Sequence, residues 1–312
     1  VLFVTGVEEI MMYIVGLGLS ITSMTIEAIA ALLACRKIYV DTYTSTWFPD
    51  IRKLVHILKA MGRNTELCNR DKLEGTRVKD IIEEARREDI CIAVPGDPMF
   101  ATTHHAIVAE AIQHGVEVRI ITSTSIINAV YDYSCLQPYR FGKITTVVSP
   151  KDNIFFEYPI HVIKDNMDRN LHTILLLEID LEKHYFMDPQ HAVKILLEAQ
   201  SRIGVNILKS TSKIIVLSAI SSANQCIEVR TIEEVLNGDY ICKTPPYTII
   251  IPAAKLHPIE EECLEHLRRH PSSTLASARR ILSSNLDRDL LHFIQIALNI
   301  TKSQETPLLK DY

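Results

Sequence analysis

The sequence predicts an α/β fold in two α/β domains. Short apolar runs with strand character alternate with amphipathic, helix-like segments along most of the chain. Its 312 residues are also more than one hydrophobic core ordinarily encloses. Strand, crossover helix and strand in repetition imply a mainly parallel sheet covered on both faces.

In chain order, M-Y-I-V at 12–15 is the first strand, closed by Gly16. Thr25–Leu33 is apolar with helical character, and K-I-Y-V-D at 37–41 is the second strand. Val78–Glu88 is charged and amphipathic, hence a helix. I-C-I-A-V at 90–94 is a short strand stopped by Pro95-Gly96. Thr103–His114 is a helix with Gly115 at its stop, and Val116–Thr122 is the next strand. S-T-S at 123–125 then opens another helix.

The pattern loosens over 134–153, where Pro138, Gly142 and Pro150 stand among aromatics. A boundary there gives an N-terminal domain over 12–143 and a C-terminal domain over 144–270. The second set comprises strand His172–Ile179, helix Asp188–Arg202, strands Lys213–Ala219 and Tyr247–Pro252, and the acid-rich helix Pro258–His270. Residues 271–312 read as a helical extension ending in an apolar run.

Composition narrows the function classes. Hydrophobic residues at 47% and charged residues at 23% describe a globular chain, and a net charge of -5 disfavours gripping a phosphate backbone. Nucleic acid is therefore not an expected partner. The seven cysteines are scattered with no C-x-x-C pair, which is expected of free thiols in a reducing, cytoplasmic compartment. The first ten residues lack a basic n-region, and no run of 18 uncharged apolar residues occurs, so neither a signal peptide nor a membrane span is expected. Met11 or Met12 is a plausible natural start, with the preceding residues a loose lead.

Two turns invite a ligand. Gly16-Leu17-Gly18-Leu19 lies between a strand and a helix, and Asp41 ends the second strand where a ribose-binding acid would stand. The third glycine of the dinucleotide fingerprint is missing, Ile21 taking its place, so nicotinamide or flavin binding lacks its helix approach. Pro95-Gly96-Asp97-Pro98 is stiffened by two prolines, opened by glycine, and set at the carboxyl end of a strand. It reads equally as a ligand loop or as an ordinary turn with Asp97 capping. The adjacent His104 and His105 cannot face the same way on a helix. Cys263, His266 and His270 have one-face spacing, but Arg268, Arg269 and Pro271 crowd them, so no metal site is expected. No G-x-S-x-G, Walker loop or H-E-x-x-H supports a hydrolase or NTPase.

Taken in order, eight blocks resemble the diphthine synthases, within the tetrapyrrole-methylase-like superfamily of S-adenosylmethionine enzymes. They are Y-I-V-G-L-G-L at 13–19, Y-T-S at 43–45, P-G-D-P-M-F-A-T-T-H at 95–104 and S-I-I-N-A-V at 125–130. L-Q-P-Y-R-F-G-K at 136–143, L-H-T-I-L-L-L-E-I at 171–179, P-P-Y at 245–247 and K-L-H-P-I-E at 255–260 follow.

The resemblance implies a cofactor cleft between the two α/β domains, a homodimer, and S-adenosyl-L-methionine as cofactor. It also implies methylation of the amino group of the modified histidine of translation elongation factor 2, in diphthamide biosynthesis. Carried over by position, the cofactor contacts fall on Leu19, Asp97, Phe100, Ser125, Ile126, Leu177, Ile220 and Tyr247. The stretch at 188–199 is similar to archaeal members, which trimethylate the amine. Three departures stand out: S-A-I-S at 218–221 for A-R-A-G, Tyr247 for a histidine, and S-I-T-S-M-T at 20–25 for an acid-rich stretch. A methylase of a small tetrapyrrole precursor and a non-catalytic binding relative are the rival readings.

Overall fold

The computed structural model describes residues 10–152 and 154–271. Apart from Pro271, the expected helical extension at 271–312 lies outside the described residues, as do residues 1–9 of the lead.

The first half builds one parallel sheet. Its strands are β1 (Met11–Gly16), β2 (Lys37–Asp41), β3 (Asn64–Cys68), β4 (Ile90–Val94) and β5 (Glu117–Ile121), in the order β3-β2-β4-β1-β5. The apolar runs at β1 and β4 are continuous because both strands are central and covered on both faces. One face packs Tyr39, Ile92 and Ile14 against α4 (Val78–Ala85) and α5 (His104–Gln113). The other packs Val15, Val40 and Ala93 against α1 (Ile26–Ala34) and α2 (Ile51–Ala60). Thr25 caps α1 by accepting from the Ala28 N–H at 3.0 Å. The short α3 (Arg70–Leu73) follows β3 and is capped by Asn69.

A second five-stranded sheet follows α6 (Ile126–Tyr133). Its order is β11-β10-β12-β7-β6, from β6 (Thr145–Val147), β7 (Thr173–Leu177), β10 (Lys213–Ser218), β11 (Cys226–Thr231) and β12 (Tyr247–Ile251). Only β6 and β7 pair in parallel; the other three ladders are antiparallel. A two-residue hairpin, β8 (Ile179–Asp180) and β9 (Tyr185–Phe186), follows β7. One face packs against α7 (Tyr158–Asp168), α8 (Pro189–Arg202) and α9 (Ile232–Leu236). The other packs against α6 and α10 (Pro258–Arg269) through Val130, Ile174, Leu217 and Leu264.

Two of the diagnostic blocks prove to be one buried network. Glu260 on α10 is almost fully buried, accepts from the Gln137 and His257 amides, and pairs with Arg140 and His172. Burial alone would raise its carboxyl; the two amides and His172 outweigh it and hold it below the ordinary range. L-Q-P-Y-R and K-L-H-P-I-E are thus the two sides of a clamp from the 136–143 segment to the last described helix.

The free-thiol expectation is corrected. Cys135 pairs with Cys263 and Cys226 with Cys242, leaving Cys35, Cys68 and Cys91 as buried thiols. The bridged residues are 128 and 16 positions apart, so no spacing rule reveals them, yet the fold brings their Cα atoms to 5.8 and 5.3 Å. Cysteine usage therefore no longer argues for a reducing compartment. The first bridge consumes Cys263 of the weighed C-x-x-H pattern. The second consumes both sulfurs of Cys226–Glu228–Cys242, the one metal-sized ligand cluster among the described residues. No helix among the described residues is long and apolar enough to cross a membrane.

Candidate active site

The strand order β3-β2-β4-β1-β5 reverses direction between β4 and β1, and open α/β sheets hold ligands outside the carboxyl ends of such strands. There the two turns singled out in the sequence are fastened to each other. The Leu17 N–H donates to Val94 O at 2.8 Å, and Gly18 and Gly96 exchange N–H···O bonds of 3.1 and 2.7 Å. Both residues of that exchange have positive φ, +66° and +79°, which glycine adopts without strain. Gly16 is required by space instead: a Cβ there would lie 2.8 Å from both Pro98 Cδ and Ser123 Cβ.

Asp97 has the capping role of the turn reading and a second bond besides. Its carboxylate accepts from the Met99 N–H at 3.0 Å, capping its own turn, and from the Ser123 N–H beyond β5 at 3.1 Å. It thereby braces the loop after β4 against the loop after β5. Ser125 caps α6 by accepting from the Ile127 N–H, while Asn128 accepts from the Ser125 N–H. Its hydroxyl is occupied, so what it can offer a ligand is chiefly backbone.

A cavity of about 350 Å³ opens at this point, between the loops of the first sheet and the strand ends of the second. That is within the usual range for small-molecule sites. All eight residues expected at the cofactor line it: Leu19, Asp97, Phe100, Ser125, Ile126, Leu177, Ile220 and Tyr247. Burial pushes the Tyr247 phenol up to about 12, with Tyr240 and Asp188 adding to it, so it stays neutral where histidine would titrate. Glu178 also faces the cavity. Burial would raise its carboxyl, but the Ser149 amide and hydroxyl and the Lys151 ammonium outweigh it and hold it ionised below the ordinary range.

Other weighed residues do structural work. Asp41 is fully buried and accepts from the Tyr43 and Thr44 amides and the Thr44 hydroxyl, so it shapes the Y-T-S wall and is not open to a ribose. His104 is buried, with Nδ1 3.1 Å from Pro98 O and Nε2 3.3 Å from Asp41, whereas His105 is exposed. The altered segment 20–25 does not line the cavity; Ser20 caps a single 3-10 turn there.

Sequence reasoning missed Arg70 and Glu74 on the cavity wall. They follow β3, whose alternating N-T-E-L-C was not recognised as a strand, and that was the only available signal.

The comparisons agree with this geometry. The family model for Tetrapyrrole (Corrin/Porphyrin) Methylases matches residues 11–236. A diphthine synthase of Staphylothermus marinus is 41% identical over 266 residues, covering 82% of this chain and 93% of its own. That of Methanocaldococcus jannaschii is 35% identical over 260 residues, covering 82% and 98%. A crystal structure of diphthine synthase superposes with a TM-score of 0.72 at 28% identity, over 83% of this chain and 96% of that one. The chain belongs to the tetrapyrrole (corrin/porphyrin) methylase family and, within it, to the diphthine synthases.

Proposed function

We propose that this chain forms diphthine, using S-adenosylmethionine to methylate the amino group of the aminocarboxypropyl histidine of translation elongation factor 2. The observation that carries the reading is convergence: eight residues scattered from Leu19 to Tyr247 meet on one cavity in a chain of this family.

The lining suits a sulfonium cofactor. Three carboxylates, Glu74, Asp97 and Glu178, face one cation, Arg70, so the field in the cavity favours positive charge. Leu19, Phe100, Ile126, Leu177 and Ile220 supply the apolar wall an adenosyl group needs. The Thr46 hydroxyl is buried on that wall with no hydrogen-bond partner, an orphan that a polar ligand group would satisfy.

The bound cofactor supplies an electrophilic methyl with its leaving group already in place. The rest falls to the chain. Leu19, Asp97 and Phe100 hold the cofactor from the first sheet, Ser125 and Ile126 from the start of α6, and Leu177, Ile220 and Tyr247 from the second sheet. Holding both reactants in line in a dry cleft contributes several kcal/mol, on the order of 7 or more when alignment is good. No side chain is assigned as a dedicated base; the amine loses its proton to bulk water before it attacks. The reading takes 12–143 and 144–270 as the two lobes of the cleft, and includes the homodimer and the cytoplasmic setting.

The test pairs calorimetry with S-adenosylmethionine and methyl transfer to an archaeal elongation factor 2 carrying the aminocarboxypropyl histidine. Binding and transfer are expected. Absence of binding favours a non-catalytic relative, and binding without transfer favours another acceptor.

A further inference from the structure

The eight cofactor-side residues leave part of the cavity lining unaccounted for. Within the first half that part includes three segments, 43–48, 70–74 and 101–103. Arg70 stands on it and is the only Lys, Arg or His among the cavity-lining residues.

Its guanidinium is held in place rather than free. It lies over the Tyr43 ring, 4.9 Å from the centroid, and its Nη1 donates to both Glu74 oxygens at 3.2 and 3.3 Å. Glu74 is in turn fixed by the Thr103 hydroxyl, which donates to it at 2.6 Å. Nε and Nη2 make no hydrogen bond among the described residues, so one edge of a planar fork is free on a side chain that lines the cavity and is 55% exposed. Such an edge matches a carboxylate with two parallel N–H···O bonds.

We propose that Arg70 binds the carboxylate of the amino-acid group whose amine accepts the methyl. This rests on the diphthine reading, in which the acceptor carries an amine and a carboxylate on one carbon. Fixing the carboxylate retains the amine, which sits on the adjoining carbon, within the cavity. It also explains a lone cation in an otherwise acidic cavity. The Glu74 contact and the Tyr43 stack limit the rotation of the guanidinium, and the role is one of acceptor recognition, separate from cofactor binding.

The test compares the full chain with Arg70→Gln and Arg70→Lys in three measurements. These are methyl transfer at varied elongation factor, calorimetry with S-adenosylmethionine, and inhibition by 2-amino-4-(imidazol-2-yl)butanoic acid against its primary amide. In Arg70→Gln, KM for the elongation factor rises about tenfold or more while kcat and cofactor affinity stay within about threefold. Arg70→Lys recovers part of the loss, since it keeps the charge without the fork. Inhibition by the free acid weakens about tenfold in Arg70→Gln, and inhibition by the amide does not change. An unchanged KM, equal loss for acid and amide, or lost cofactor binding overturns the assignment. A native chain that binds the cofactor but methylates no elongation factor defeats the diphthine reading itself, whereas an active native chain with an indifferent Arg70→Gln defeats only this inference.

Discussion

Replacing Asp97 by alanine separates a brace from a passive turn. The substitution removes the acceptor of the Met99 N–H at 3.0 Å and of the Ser123 N–H at 3.1 Å. A hydrogen bond to a charged group contributes about 1.5–3 kcal/mol, but the carboxylate is only half-buried and water can reach the freed amides. A loss of about 2–4 kcal/mol of stability for the pair is therefore expected. The same two bonds tie the loop after β4 to the loop after β5, so the cavity wall loosens with them, and affinity for S-adenosylmethionine falls at least about tenfold. Asp97→Asn keeps one carbonyl oxygen, so it accepts one amide and loses about half as much stability. Urea unfolding gives the first quantity and calorimetry the second. Stability and affinity both unchanged in Asp97→Ala would refute the reasoning; lost affinity at unchanged stability would leave Asp97 its cofactor contact and remove its role as a brace.

Ser221 sits at φ +67°, a conformation glycine adopts without strain, so Ser221→Gly should raise stability by about 1 kcal/mol in thermal unfolding. Glu260→Ala leaves Arg140 and His172 without their buried partner and should cost about 3–5 kcal/mol, read by urea unfolding. Arg268 beside Glu234, together with the Thr231 amide and hydroxyl, holds that carboxyl down to about 2. Its folded pKa lies below its unfolded one, so the stabilisation is full above about pH 4.3 and is lost as pH falls toward 2. Because both side chains are about 30% exposed, screening reduces it to about 1 kcal/mol, and Glu234→Gln should flatten the acid limb of stability against pH by that amount.

Elements with two-sided burial were the legible ones. β2 and β4 were readable to the residue because a central parallel strand is apolar on both faces and ends where its loop turns. The α8 start was readable from Asp188 followed by Pro189, and the structure shows Asp188 accepting from the His191 N–H. β3 and β11 were missed because they are edge strands, where polar and charged residues such as Glu66 and Arg230 interrupt the apolar pattern. The antiparallel character of the second sheet was equally invisible, since its strands are as uniformly apolar as parallel ones when helices cover both faces. At the site, Asp97 and Ser125 stood out because turn chemistry marks them. Arg70, Glu74 and the disulfide partners did not, because their meaning comes from contacts between segments far apart in the chain.

The most direct measurement is mass spectrometry of the histidine-bearing peptide of elongation factor 2 after incubation with this chain and S-adenosylmethionine. The factor must already carry the aminocarboxypropyl group. Methylation confined to that residue's amino group, and abolished when the acceptor histidine is left unmodified, is the predicted result. A competent acceptor recovered unmethylated, with the cofactor bound, would contradict the account.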